Sequence, residues 1–120
     1  MKDHTRRAVA YIAGRLVCGT GSSSVYDYDS SKRFDFSGQI SPTDVSVYDY
    51  EQRCYISGSG SSGSYSLFHR GNGKHITLNI EGGQFNGYDH DTRKQFTGRV
   101  SGNSVSIYDY EHSKYFNYSI

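Results

Sequence analysis

Five side chains able to hold a charge or a proton recur along the chain at nearly constant spacing: Asp27, Asp49, His69, Asp89 and Asp109. Each follows an aromatic residue, Tyr26, Tyr48, Phe68, Tyr88 or Tyr108, at intervals of 22, 20, 20 and 20 residues. In alternating segments, neighbouring side chains point to opposite faces. The aspartates therefore share the face of the apolar residues, two positions before a turn. Four carboxylates and one imidazole at one end of a sheet form an acidic rim that could hold a cation or an amine, with His69 changing charge near neutral pH. The simpler reading is local, with each carboxylate accepting backbone N–H groups of its own hairpin end.

A second constellation comes from cross-strand counting. If Gly82-Gly83 is a two-residue turn, Ile80 faces Phe85 and His75 lies directly opposite His90 on the outer face, with Lys74 facing Asp91 beside them. Two facing imidazoles could share a transition metal, but no third ligand is evident in the sequence. Tyrosines form the third set. Tyr26, Tyr28, Tyr48, Tyr50, Tyr88, Tyr108 and Tyr110 lie on the wet face, with Tyr50 expected opposite Tyr55 and Tyr110 opposite Tyr115. Such pairs support a sheet, and they also offer stiff amphipathic area suited to a glycan or a protein partner.

These residues sit in a chain of 120 residues with 14 Gly, 12 Tyr, 6 Phe, one Pro and no Trp, a composition that favours strands and tight turns. The length suits a single domain spanning 1–120, with 1–7 read as a disordered N-terminal segment. Each period of about 20 residues carries two alternating runs and two turn signals, hence one β-hairpin and its link to the next. Asn72-Gly73 marks a two-residue hairpin turn. The same turn placed at Gln52-Arg53, Thr92-Arg93 and His112-Ser113 pairs Asp49 with Ile56, Asp89 with Phe96 and Asp109 with Phe116. Pro42-Thr43, Ser62-Gly63, Gly82-Gly83 and Gly102-Asn103 close the linking turns. The first repeat is two residues longer, which a wider loop at 30–33 would absorb.

The expected fold is all-β, an antiparallel up-and-down meander of about ten to eleven strands, with residues 8–17 as the first. Its apolar face must be covered, by rolling into a barrel, by folding as a sandwich, or by pairing two open sheets as a homodimer. Uniform two-residue turns supply almost none of the stagger a closed barrel needs, so closure calls for bulges, with the loops at 18–21 and 30–33 and the strand glycines as places for them. Glycines beside large inward residues suggest rings lying over bare backbone.

Hairpins of this period rich in Tyr and Gly resemble the membrane-occupation-and-recognition repeats, although Tyr-Asp-Tyr and Phe-Ser-Gly stand where those carry a Tyr-Glu-Gly phrase. The resemblance implies no activity for this chain.

Lys plus Arg number 13 against 12 Asp plus Glu, too even a balance to attract nucleic acid. The N-terminal stretch MKDHTRRAVAYIAG has the order of a secretory signal, but Arg15 interrupts the apolar run and Val17 precedes Cys18 where a small residue would be required. A cytoplasmic setting is expected, secretion being the alternative, without insertion into a membrane. Cys18 and Cys54 fall at opposite sheet edges and are expected to be free thiols. No phosphate loop, nucleophile elbow or zinc-protease signature is present, so no catalytic residue and no cofactor is assigned. The reading is a small non-catalytic binding module with a tyrosine-rich outer face. The alternatives are a ligand-holding barrel opening at the acidic rim or, less favoured, an enzyme using the Asp and His set.

Overall fold

The computed structural model describes residues 1–19 and 21–120. Ten strands follow one helix: α1 (Asp3–Cys18), β1 (Ser24–Asp27), β2 (Lys32–Ile40), β3 (Asp44–Asp49), β4 (Cys54–Ser61), β5 (Ser64–His69), β6 (Lys74–Glu81), β7 (Gln84–Asp89), β8 (Lys94–Ser101), β9 (Ser104–Asp109) and β10 (Lys114–Ser119). Each strand pairs antiparallel with its sequence neighbours, and β10 returns to β1 to close a barrel. Closure, rather than a sandwich or an open dimeric sheet, hides the apolar face within one chain.

The stagger comes from an asymmetry between the two ends. Linking turns are two residues long, as in Ser61 opposite Ser64, Glu81 opposite Gln84 and Ser101 opposite Ser104. Ser62 and Gly63 both take positive φ, and Gly82 and Gly102 take it at the first turn position, as hairpin-compatible turns require. The other end is wider than the sequence reading. Asp49 faces Cys54, Asp89 faces Lys94 and Asp109 faces Lys114, so four residues form each turn. Its last position is left-handed at Ser31, Arg53, Gly73, Arg93 and Ser113. Gly73 therefore ends a four-residue turn and does not sit in a two-residue one. The partners expected within a hairpin belong to the next strand over: Ile56 faces His69, Ile76 faces Asp89, and Phe96 faces Asp109.

Each such crossing advances the register by two residues, which tilts the strands and lets the sheet close. The first hairpin has the same four-residue turn, Asp27 opposite Lys32, and its two extra residues lie in β2, where Phe36 rather than Phe34 meets Asp49. Thr20, in the 18–21 loop named above as a place for a bulge, lies outside the described residues.

Residues 8–17 are helical rather than the expected strand, and within the 1–7 segment expected to be disordered the same helix begins at Asp3. Thr5 through Gly14 are all buried. Ten staggered strands enclose more width than inward side chains alone can fill, and α1 fills it. Its middle, Ala8 to Gly14, is apolar on every side, which suits a site surrounded by wall. Ala8, Ala10, Ala13 and Gly14 keep it slim, and a Cβ on Gly14 would come within 2.7 Å of Ile120 Cδ1. Tyr11 stacks on Phe36 with ring centroids 4.7 Å apart and donates its hydroxyl to the Ser22 carbonyl at 2.6 Å. Gly19, left-handed at φ 67°, ends the helix by donating its N–H to the Arg15 carbonyl. The wall thins where rings need room: a Cβ on Gly98 would lie 2.1 Å from the Phe85 ring, and one on Gly87 2.4 Å from that of Phe96.

Candidate functional site

The four-residue turns crowd around one mouth of the barrel, and Asp27, Asp49, His69, Asp89 and Asp109 are buried there. Alternation thus assigns their face correctly. Asp49 Oδ1 accepts the N–H groups of Glu51 at 3.0 Å and Gln52 at 3.2 Å. Asp27 does the same for Asp29, Asp89 for Asp91, and Asp109 for Glu111. His69 reproduces the pattern with Nδ1, which accepts the Asn72 N–H at 3.1 Å. The acid before each turn ties down turn N–H groups that a buried hairpin end would otherwise leave unpaired.

Cations of α1 and of the residues just before it meet Asp109 and Asp27, whereas Asp89 Oδ2 accepts the Thr92 hydroxyl at 3.2 Å. Arg6 donates Nη1 to Asp109 Oδ2 at 2.9 Å and Nε to the Tyr118 hydroxyl at 2.9 Å, and its guanidinium lies 3.4 Å from the centre of the Phe116 ring. Arg7 reaches Glu51 at 2.6 Å and Asp27 at 3.7 Å, over the Phe34 ring. The Met1 ammonium lies against Asp109 and Glu111, and Lys2 pairs with Asp91 at 3.1 Å. Asp91 therefore turns to the mouth and does not pair with Lys74. Asn72 binds both His4 and Thr5.

Equivalent positions titrate differently for local reasons. Burial pushes the Asp49 carboxyl above its ordinary value despite the Gln52 and Glu51 N–H groups and the nearby Arg7. At Asp109 burial acts the same way, but His112, the Met1 ammonium and the Glu111 N–H outweigh it and hold the carboxyl below its ordinary value. Burial, with the charges of His4 and Lys2 adding to it, pushes His69 down to about 4, so it is neutral at physiological pH. Its Nε2 is buried without a hydrogen-bond partner. Burial also pushes the Cys54 thiol up, which disfavours the reactive thiolate. Cys18 and Cys54 are both free.

Metal chemistry gains little from this set. Among the described residues, Asp109, Glu111 and His112 are the one group placing three ligand atoms within 4.8 Å of one another, and Asp109 already serves Arg6 and the Met1 ammonium. His75 and His90 do stand opposite each other, with the His90 N–H donating to the His75 carbonyl at 3.1 Å, and no third ligand among the described residues joins them.

Outside the wall, at the level of the mouth, the tyrosines form a belt. Tyr48 faces Tyr55 and Tyr108 faces Tyr115, replacing the expected Tyr50–Tyr55 and Tyr110–Tyr115 pairs because the turn holds four residues. Tyr50 and Tyr110 instead lean edge-on against Tyr48 and Tyr108, at 5.0 and 4.8 Å between ring centres, and Tyr28 leans on Tyr26 at 4.8 Å. The inner members Tyr26, Tyr48, Tyr88 and Tyr108 are half-buried. Tyr115 is 64% exposed and Tyr28 59%, with Tyr50, Tyr55 and Tyr110 also open to solvent.

Sequence reasoning missed Arg6 and Arg7, because a stretch read as disordered cannot supply partners to a buried rim. It also passed over Arg70 and Gln95, which occupy belt positions held by tyrosine in other repeats. No protein-family model, curated protein or solved structure matches the chain.

Proposed function

We propose that the protein is a non-catalytic binding module that meets its partner, a glycan or a protein, on the outer tyrosine belt. The observation carrying this reading is the contrast in use of polar and aromatic groups. The acids at the mouth are engaged by their own turns or by α1, whereas five large tyrosines project from a closed wall into solvent. Rings held edge-on against half-buried neighbours lose little freedom on binding, which favours affinity per contact. A ligand held in the lumen is the weaker reading, since α1 occupies that space.

A reducing, cytoplasmic setting belongs to the same proposal and agrees with two free thiols. No helix is long and apolar enough to cross a membrane, and the outer wall carries Ser46, Ser57, Ser66, Thr77, Thr97 and Ser106 where a lipid-facing barrel would carry an apolar band.

The test is a glycan array and a pull-down with the wild-type chain and with a variant carrying Tyr50→Ser, Tyr55→Ser, Tyr110→Ser and Tyr115→Ser. A specific partner lost in the variant, with the melting curve little changed, is the expected result. Binding that survives all four substitutions would overturn the reading.

A further inference from the structure

The belt is not uniform, and its interruption points to a ligand class. Where other repeats place Tyr50 and Tyr55, or Tyr110 and Tyr115, the third and fourth repeats place Arg70 with His75, and His90 with Gln95. The inner aromatic ring is kept in both, as Phe68 and Tyr88. His75 packs edge-on against Phe68 at 4.9 Å and His90 against Tyr88 at 4.8 Å, so both imidazoles are braced much as the tyrosines are.

They open onto a groove of about 590 Å³ in which Lys74 and Arg93 flank His75, His90, Thr77 and Tyr88. Lys74 and Arg93 are exposed, and among the described residues neither has an ion-pair partner. The nearest carboxylate in sequence, Asp91, turns to Lys2 at the mouth, and Glu81 lies at the far, linking-turn end of β6. Thr77, Tyr88 and His90 also line a second hollow of about 520 Å³, so the groove continues along the wall toward Asn79, Asn86, Gln95 and Thr97. One end thus offers an ammonium, a guanidinium and two imidazoles. The other offers amides and hydroxyls that both donate and accept, with the Tyr88 ring between them.

We propose that this trough across β6, β7 and β8 binds a polyhydroxylated ligand bearing an anionic group, the class of sugar acids and sugar phosphates. The Lys74 and Arg93 end takes the anion, and the Asn79, Asn86 and Gln95 end takes the hydroxyls. A metal is the poorer occupant of the histidine pair, because a cation would sit beside Lys74 and Arg93 with only two ligands. The proposal goes beyond the tyrosine belt, sharing with it only the outer wall as contact surface, and uses a different arc from the tyrosine variant above.

The experiment is an amide NMR titration of the full chain with glucuronate, glucose 6-phosphate, glucose and inorganic phosphate in turn. Saturable shifts centred on His75, His90 and Arg93 are expected with the two anionic sugars, at least about tenfold tighter than with glucose or phosphate alone. Lys74→Gln with Arg93→Asn should weaken this binding at least about tenfold, Asn being chosen because it accepts the left-handed backbone at that position. Tyr50→Ser and Tyr115→Ser should leave it unchanged. Absence of saturation, or phosphate alone matching glucose 6-phosphate as an adventitious ion only, would overturn the proposal. Loss of partner in the tyrosine variant with a silent trough would sink this inference alone. A binding trough with indifferent tyrosines would keep it and sink the belt.

Discussion

The two sides of the same barrel wall use the same repeat in opposite ways. On the inside, at the mouth, Asp27, Asp49, Asp89 and Asp109 close their own turns, and most of the cations that meet them come from α1. On the outside, one residue away in sequence, the tyrosines pair with each other and then stop at solvent. Tyr-Asp-Tyr is thus one phrase with two destinations. Alternation sends the acid inward as a turn fastener and the rings outward as a surface. Damage inside should therefore cost stability, and damage outside should cost binding.

The largest effect is expected at Arg6, which is buried between Asp109, Tyr118 and the Phe116 ring. Arg6→Ala leaves Asp109 buried without its guanidinium and should destabilise by about 3–5 kcal/mol in urea unfolding. A loss below about 1 kcal/mol would mean that α1 is not seated as described.

His69 sharpens the contrast through pH. Its folded value of about 4 lies below the ordinary 6.5, so between these values the unfolded chain binds the extra proton. Stability from this group is complete above pH 6.5 and falls as the pH drops toward 4, by on the order of 3 kcal/mol. Asp49, with its raised value, works in the opposite sense, so the difference between wild type and His69→Asn isolates the imidazole. The variant should lose most of this acid sensitivity, and equal slopes for the two proteins would contradict the burial of His69.

Gly98→Ala tests the thinned wall. The added methyl meets the Phe85 ring and the Ser106 carbonyl oxygen, and about 1–3 kcal/mol of destabilisation is expected from the thermal midpoint. The smallest effect belongs outside: Tyr115→Ala should cost no more than about 1 kcal/mol, the worth of a cross-strand pair. A loss as large as that of Arg6→Ala would erase the distinction between the two sides.

Much of the barrel is legible in the chain because the period of about 20 residues and the two-residue alternation are written in residue type. Inward aspartates, the linking turns and the ring-over-glycine packing of Phe85 and Phe96 follow from those patterns. Turn length is less legible. Tyr50 to Arg53 contains no Gly or Pro to mark its corners, and Arg53 takes a left-handed conformation that its side chain does not advertise. Two residues misplaced there shift every cross-strand partner within the hairpin, which is why Tyr55 belongs to Tyr48.

The helix was hidden by its own environment. Its apolar run from Ala8 to Gly14 is continuous, which does not tell a helix from a buried strand, and Val9, Tyr11, Ile12 and Val17 carry strand propensity. The usable signals were Ala8, Ala10 and Ala13, Asp3 in the first turn, and Gly19 as the stop. Once α1 is read as lumen filling, Arg6 and Arg7 become the partners of Asp109 and Asp27 at the rim.

The packing of the barrel depends on α1 lying inside it with its basic first turns at the aspartate mouth. Nuclear Overhauser contacts in the full chain test that directly. Contacts from the Tyr11 ring to Phe36, from Gly14 to the Ile120 methyl and from Arg6 to Phe116, with slow amide exchange across Ala8 to Ala13, are the predicted result. Rapid exchange over residues 3–18 with none of those contacts would contradict it.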